Sequence, residues 1–201
     1  MSGRLRRHVV VFVKSPRLGQ VISRLAAGIG ALPALRFYRE TTARILSMLS
    51  RDPRWRTLIA TTPARARGGR FRGRRLPRLD QGSGDLGRRM ARVFGMLPPG
   101  PAVIVGSDIP ALAPRHIRAA FRALGDHDSV IGPARDGGYW LIGLKRSRAL
   151  PSGLFAKVRW SSPHALADTR ASLPKRYRVA LIETLEDVDD RQSYDRWRVV
   201  S

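Results

Sequence analysis

Near the start of the chain, His8-Val9-Val10-Val11-Phe12-Val13 shows no polar face from Val9 onward. A run this short, β-branched and apolar on both sides reads as a strand buried within a layered sheet, because a strand with a wet face would alternate. The rest of the chain must therefore cover two faces. Runs of the same kind recur at Arg56 to Thr61 and at Ala102 to Val105. Between them lie stretches of helical period. Val21 to Ala27 is a short one. A longer one opens at Leu32-Pro33 and runs to about Ser50, with Leu35, Tyr38, Thr42, Ile45, Leu46 and Leu49 on one face. Asp85 to Leu97 places Leu86, Met90, Val93, Phe94 and Leu97 inward, and Pro114 to Leu124 does the same with Ile117, Phe121 and Leu124.

Strand and helix alternate through two-thirds of the chain, which predicts an α/β fold with a mainly parallel sheet and helices on both faces. Ser129 to Ile131 and Tyr139 to Leu144 flank the turn Asp136-Gly137-Gly138, so one antiparallel insertion is expected and the sheet should be mixed. Ser162-Pro163 has the chemistry of a helix start, Arg178 to Ile182 that of a late strand, and Asp190 to Arg198 that of a closing helix. The pattern continues across residues 63–80, where seven arginines fall between Arg65 and Arg78. That segment reads as an exposed, mobile loop rather than a linker, and residues 1–201 as a single domain with a basic tail at 1–7.

Composition narrows the chemistry. The chain has 201 residues and no cysteine, so disulfides, thiolate metal sites and cysteine nucleophiles are excluded. Any metal must be held by oxygen or imidazole. No apolar run approaches the ~20 residues of a membrane span, and the apolar stretch after Arg7 is too short for a secretory leader, so a cytoplasmic protein is expected. The net charge is +23. Nearly all of the cationic excess is arginine, which a GC-rich genome produces without a selected partner. Nucleotide-like substrates fit it as well as nucleic acid does, and nucleic acid is the less favoured partner. Phe71 is the one aromatic between Arg65 and Arg78 available for base stacking.

In open α/β sheets, ligands bind beyond the carboxyl ends of the strands. Three segments should meet there, and a fourth is a further candidate. The loop Lys14 to Arg24 (KSPRLGQVISR) leaves the first strand; Gly19 allows close backbone approach, and Lys14, Ser15 and Arg24 add donors for phosphate, although an ordinary strand-to-helix loop is the alternative. Asp108 follows the strand Ala102 to Val105 in Gly106-Ser107-Asp108-Ile109-Pro110, where a carboxylate can hold Mg²⁺ or Mn²⁺ against phosphate oxygens or simply cap a turn. In Glu186-Asp187-Val188-Asp189-Asp190, Asp187 and Asp189 share a side if the segment is extended and could complete a metal site with Asp108, whereas Asp190 suits a helix N-terminus. Asp136-Gly137-Gly138-Tyr139 is either a plain hairpin turn or an acceptor-side wall with Asp136 on a hydroxyl. None of the four histidines has zinc-type or triad-type spacing.

The segments VFVKSPRLG, QGSGDLGRRMA, VIVGSDIPAL, VIGPARDGGYWLIGL and EDVD, in this order, resemble a bacterial family of GT-A-like glycosyltransferases of unknown substrate, of the radical-SAM/selenodomain-associated type. The resemblance spans roughly residues 8 to 195. It is more distantly similar to molybdenum-cofactor and phospholactate guanylyltransferases. It implies a three-layer, Rossmann-like nucleotide-diphospho-sugar transferase fold. It further implies a Mg²⁺ or Mn²⁺ site at Asp108 with Asp187 and Asp189, nucleotide phosphates on the first loop, and a cleft lined by Gln81 to Asp85 and Asp136 to Tyr139. The implied activity is metal-dependent transfer from a nucleotide-activated donor to a small acceptor, either glycosyl or nucleotidyl. The family loop usually reads GKVKTRL, whereas here Gln20 and Ile22 replace both lysines and Arg88 stands where Glu is common. Two lost cations weaken phosphate contacts unless Lys14, Arg24 or the basic loop replaces them.

Overall fold

The computed structural model describes residues 5–18, 21–62 and 76–200. Seven strands form one sheet: β1 (His8–Lys14), β2 (Arg56–Thr62), β3 (Arg78–Asp80), β4 (Ala102–Val105), β5 (Ser129–Pro133), β6 (Tyr139–Leu144) and β7 (Val179–Leu181). Their spatial order is β3-β2-β1-β4-β6-β5-β7. All neighbours are parallel except at β6, which runs antiparallel to both β4 and β5. The turn at residues 136–138 is thus the reversal that makes the sheet mixed.

Six helices are described: α1 (Ser23–Ile29), α2 (Ala31–Ser50), α3 (Leu86–Met96), α4 (Pro114–Asp126), α5 (Ala165–Ser172) and α6 (Arg191–Val200). Alternation along β1 sorts them into two outer layers. Val9, Val11 and Val13 pack on one face with Leu35, Tyr38, Ile45 and Leu49 of α2 and Ile117, Phe121 and Leu124 of α4. Val10 lies on the other face with Met90, Val93 and Phe94 of α3 and Ala165 of α5. Val9, Val10 and Val11 have no exposed surface, as a strand apolar on both sides requires. A smaller apolar group, Leu25, Ala34, Phe37 and Val188 with Tyr194 and Trp197, fixes α6 against α1 and α2.

Two boundaries differ from the sequence reading. Residues 78–80, assigned there to the arginine-rich loop, form the edge strand β3, pairing Ile59 with Arg78, Ala60 with Leu79 and Thr61 with Asp80. An edge strand of three residues needs only one inward side chain; Leu79 supplies it, and so short a segment carries no readable period. The rest of that loop, 63–75, and most of the basic tail, 1–4, lie outside the described residues. The second boundary is α5, which starts at Ala165 rather than at Ser162-Pro163. Ser162 Oγ donates to the Arg159 carbonyl at 2.6 Å and accepts from the His164 N–H at 3.3 Å, so its hydroxyl closes a turn ahead of the helix.

Gly143 shows how tightly the antiparallel strand is seated. It pairs with Val103 on one side and Val130 on the other. A Cβ there would lie 2.7 Å from Cγ1 of both valines and 3.3 Å from the Ala102 carbonyl oxygen. Gly143→Ala should therefore cost about 1–3 kcal/mol through overpacking. Urea denaturation should show a lowered midpoint with an unchanged slope, and an unchanged midpoint would refute the close packing.

Candidate acidic cleft at the carboxyl ends of β1 and β4

Strand order reverses direction of growth around β1, since β2 and β3 lie to one side and β4 to the other. The carboxyl ends of β1 and β4 are therefore the switch point where such sheets bind ligands. Helix α2 holds both ends through side-chain hydroxyls. The Lys14 N–H donates to Tyr38 Oη at 2.9 Å, and that hydroxyl donates to the Lys14 carbonyl at 3.0 Å. Ser107 Oγ donates to Tyr38 Oη at 3.2 Å, and Thr42 Oγ1 donates to the Ser107 carbonyl at 3.3 Å. Arg44 closes the loop after β4 by donating to the Leu112 and Pro110 carbonyls. Tyr38 is 4% exposed, and burial pushes its phenol up, so it is a neutral hydroxyl at physiological pH.

Asp108 sits on this braced loop. Gly106 is needed beneath it, because a Cβ there would lie 2.8 Å from Ile109 Cδ1 and 3.0 Å from Asp108 Oδ1. Ile109 and Leu112 are buried and anchor the loop to the core. Asp108 keeps some surface open to solvent, yet protein atoms crowd it closely enough that desolvation dominates its titration. Its carboxyl is pushed above the ordinary range mainly by that burial, with Asp136 adding repulsion and Lys14 opposing.

The acidic segment near the C-terminus reaches the same place by backbone pairing. The Leu185 N–H donates to the Pro133 carbonyl at 3.1 Å, and Ala134 and Leu185 form a parallel bridge beyond β5. Trp140 Nε1 donates to the Glu183 carbonyl at 3.1 Å. The Val188 N–H then donates to the Asp108 carbonyl at 3.0 Å, stitching the two acidic loops together. Asp187 lies next to that stitch. Its carboxyl is raised to about 6, first by desolvation, then by Asp108 and Asp136, with Arg24 opposing. Asp108 and Asp187 thus converge, both feel the charge of Asp136, and Asp187 also feels that of Asp108.

Asp189 is differently placed. Its carboxylate pairs with the guanidinium of Arg24 at the start of α1, and its N–H faces Ser193 Oγ at 3.3 Å. Asp190 accepts from the Ser193 N–H at 2.7 Å and is the N-cap of α6, as expected from sequence. Lys14 and Arg24 are both exposed at the cleft, and Ser15 is fixed by its N–H to the Thr62 carbonyl at 3.0 Å. Gly19, expected to approach phosphate, lies outside the described residues, as does Gln20. Ile22 adopts φ 42°, a left-handed conformation that a β-branched side chain rarely tolerates, so backbone strain is stored where the loop enters α1.

The remaining expected site residues carry structural work that sequence did not reveal. Gln81 is buried; its amide donates to the Ala60 carbonyl at 2.8 Å and its oxygen accepts from Arg89 at 3.2 Å, locking the end of β2 to α3. Asp85 caps α3, accepting from the Arg88 N–H at 2.8 Å. Asp136 is exposed and accepts from the Gly138 N–H at 2.8 Å. Gly137 has φ 84°, and a Cβ there would lie 2.3 Å from the Pro163 carbonyl oxygen. The turn is therefore shaped by its contact with residues 162–164. The Tyr139 hydroxyl accepts from Thr169 Oγ1 at 3.3 Å, toward α5. The three hydroxyls and the guanidinium supplied by Tyr38, Thr42, Ser107 and Arg44 were not singled out from sequence. The available signal was the polar pair Tyr38 and Thr42 within an otherwise apolar helix face.

Hard carboxylate oxygens with no thiolate suit Mg²⁺ or Mn²⁺. Among the described residues no group of three or more His, Asp or Glu side chains forms a ready cage. Mg²⁺ sites commonly take one or two protein carboxylates and complete their shell with phosphate and water. Mutually repelling Asp108 and Asp187 fit that pattern, since each is raised in pKa where a cation would relieve it.

Among the described residues no helix is long and apolar enough to cross a membrane. The sequence profile of a family described as "Uncharacterized protein conserved in bacteria (DUF2064)" matches residues 45–162. A solved protein from Desulfovibrio desulfuricans G20, described as a "putative nucleotide-diphospho-sugar transferase", is 29% identical with TM-score 0.81, covering 92% of this chain and 82% of that one. CMP:2-keto-3-deoxy-manno-octonic acid synthetase, solved in complex with CTP, superposes with TM-score 0.62 at 9% identity over 98% of each chain. Rv0371c from Mycobacterium tuberculosis H37Rv, solved with manganese, superposes with TM-score 0.54 at 15% identity over 96% of this chain and 98% of that one. The last two bear on the fold alone. No curated protein sequence matches significantly. The fold is that of the nucleotide-diphospho-sugar transferases: three layers around a mixed, mostly parallel sheet.

Proposed function

The chain belongs to the DUF2064 family, and we propose that it is a metal-dependent transferase acting on a nucleotide-activated donor, glycosyltransferase-like, with residues 1–201 working as one domain. The observation that carries this reading is the convergence of Asp108, Asp136 and Asp187 at the carboxyl ends of β1 and β4, beside Lys14. Asp108 and Asp187 would hold Mg²⁺ or Mn²⁺; when bound, the cation would neutralise donor phosphate oxygens and the charge that develops on the leaving group. Lys14, Ser15 and Arg24 would face the phosphates, joined by Gly19 as the sequence reading has it, with Gln81 and Asp85 shaping the wall behind them. Gly137, Gly138 and Tyr139 form the acceptor side. Asp136 uses one oxygen in its own turn and keeps the other to accept the acceptor hydroxyl's hydrogen bond and draw off its proton. Asp189, held by Arg24, is free to join the metal shell once donor phosphates take the guanidinium.

A second reading is nucleotidyl transfer to a small phosphorylated acceptor, since a synthetase of the same fold has been solved with CTP. The same cleft serves either bond cleavage, so fold does not choose. Thermal stabilisation by nucleoside triphosphates and nucleotide-sugars, with and without Mn²⁺, tests both. Stabilisation that needs Mn²⁺ and vanishes in Asp108→Ala is expected. A preference for nucleotide-sugars favours glycosyl transfer, and a preference for triphosphates with pyrophosphate release favours nucleotidyl transfer. Metal-independent stabilisation by DNA that disappears with salt would overturn the enzyme assignment in favour of polyanion binding.

A further inference from the structure

The opposite edge of the sheet, where the parallel strands begin, carries a second pocket. Strand β6 leaves the acidic cleft at Tyr139 and ends at Leu144, paired with Ala102 at the start of β4 and Ser129 at the start of β5. Beyond Leu144 the chain turns into a pocket of about 830 Å³ that also takes in Ser172, Leu173, Pro174, Arg176 and Tyr177. That volume is within the range of small-molecule sites, roughly 300–1,000 Å³. Among the described residues, Lys145, Arg146, Arg148 and Arg176 line it against a single carboxylate, Asp128.

The four cations divide into two kinds. Lys145 Nζ donates to the Gly125 carbonyl at 2.7 Å, and Arg146 donates to the Leu97 and Pro98 carbonyls at 2.6 and 2.7 Å. Both side chains thereby satisfy carbonyls at the ends of α4 and α3, which explains their place in the fold. Carbonyl partners orient a cation without cancelling its charge. Arg146 also sits at φ 51°, and its buried Nε has no partner among the described residues. Arg148 and Arg176 are exposed, and neither takes part in an ion pair among the described residues. Asp128 accepts from the Arg178 N–H at 3.0 Å, so part of its charge is already engaged.

We propose that this pocket binds a small organic phosphate, with its head on Arg148 and Arg176 and its body against Leu150, Leu173 and Tyr177. Two guanidinium forks over a field of uncancelled positive charge match a dianionic, multi-oxygen head better than a single carboxylate. The apolar side chains supply a surface that inorganic phosphate cannot use. The pocket and the acidic cleft are separated by the length of β6, about 20 Å at ~3.3 Å per residue, so this site does not rest on the transferase reading.

The basic composition of the whole chain is the competing explanation, and the test is built to separate it. Phenyl phosphate is titrated into the full chain without added metal, followed by amide NMR shifts, with benzoate and inorganic phosphate as comparisons. Shifts centred on residues 144–150 and 172–177 are expected, with phenyl phosphate binding at least tenfold tighter than either comparison. Arg148→Ser with Arg176→Ser should weaken it tenfold or more. Arg122→Ser with Arg198→Ser, which removes the same charge from exposed helix positions, and Lys14→Ser with Arg24→Ser in the cleft should leave it unchanged. Equal weakening in the Arg122/Arg198 variant, shifts confined to the cleft, or equal binding of benzoate would each overturn the proposal. Circular dichroism of each variant confirms that the surface changes leave the fold intact.

Discussion

Asparagine at position 187 or 108 should make the metal-free protein more stable at pH 8 and remove its manganese-dependent response to nucleotides. Asp187 is raised to about 6 by burial and by Asp108 and Asp136. Between the ordinary carboxylate range and that value, the native state holds a proton that the unfolded chain has released. Stability therefore falls as pH rises through this window, and by pH 8 the native state carries the full cost of an ionised Asp187. At about 1.4 kcal/mol per pKa unit, that cost is on the order of 2–3 kcal/mol. Asparagine keeps the shape and discards the charge, so urea unfolding at pH 8 should show a gain of this order, falling to about half at pH 5 and toward zero near pH 3. Asp108→Asn should move in the same direction, because burial raises Asp108 too. Mn²⁺ reverses the ledger: wild type gains stability when the cation enters and the variants do not. An asparagine variant that is less stable at pH 8 and still responds to Mn²⁺ would show that these carboxylates are structural.

Stability surrendered for charge is also why part of this site resisted reading from sequence. Strands β1, β4 and β6 announce themselves, because apolar runs buried on both faces admit few other environments. Asp108 is legible through its position after such a strand. Side-chain partnerships across the fold are not. The expected triad of Asp108, Asp187 and Asp189 assumed an extended segment with both acidic side chains on one side. In the structure the Val188 N–H is tied to Asp108 and the Val188 side chain is buried with Leu25 and Phe37, while Asp189 pairs with Arg24 and Asp136 approaches from the hairpin. Those choices depend on contacts between segments distant in the chain, as far as the 165 residues from Arg24 to Asp189. Strand β3 stayed hidden for the opposite reason: Arg78-Leu79-Asp80 has one apolar residue and so no period. At Asp136 the hairpin-turn reading is what the structure displays, and the charge has a reach the turn alone did not suggest. The carboxylate caps its own turn and still acts on Asp108 and Asp187.

Tyr38→Phe is expected to cost about 2–4 kcal/mol of stability and to weaken metal-dependent nucleotide binding tenfold or more, although Tyr38 has no assigned contact with substrate. Its hydroxyl satisfies both backbone groups of Lys14 and the hydroxyl of Ser107 at once, in a setting 4% exposed. Phenylalanine preserves the ring in the core formed with Val13 and Ile45, so any loss belongs to the hydroxyl alone. Buried polar groups that lose a partner cost roughly 1–3 kcal/mol each, with solvent repairing some of the loss at the half-buried Lys14 backbone. The functional effect follows because one oxygen sets the spacing between the end of β1, which presents Lys14, and the loop after β4, which presents Asp108. Cation and carboxylate must share the phosphate and metal, and a shift near 1 Å is enough to spoil such an arrangement. Thr42→Val, which removes one hydrogen bond to the Ser107 carbonyl and leaves Lys14 untouched, should show a smaller version of both losses. A Tyr38→Phe protein within 0.5 kcal/mol of wild type and with undiminished nucleotide binding would mean that the two loops hold their spacing without it.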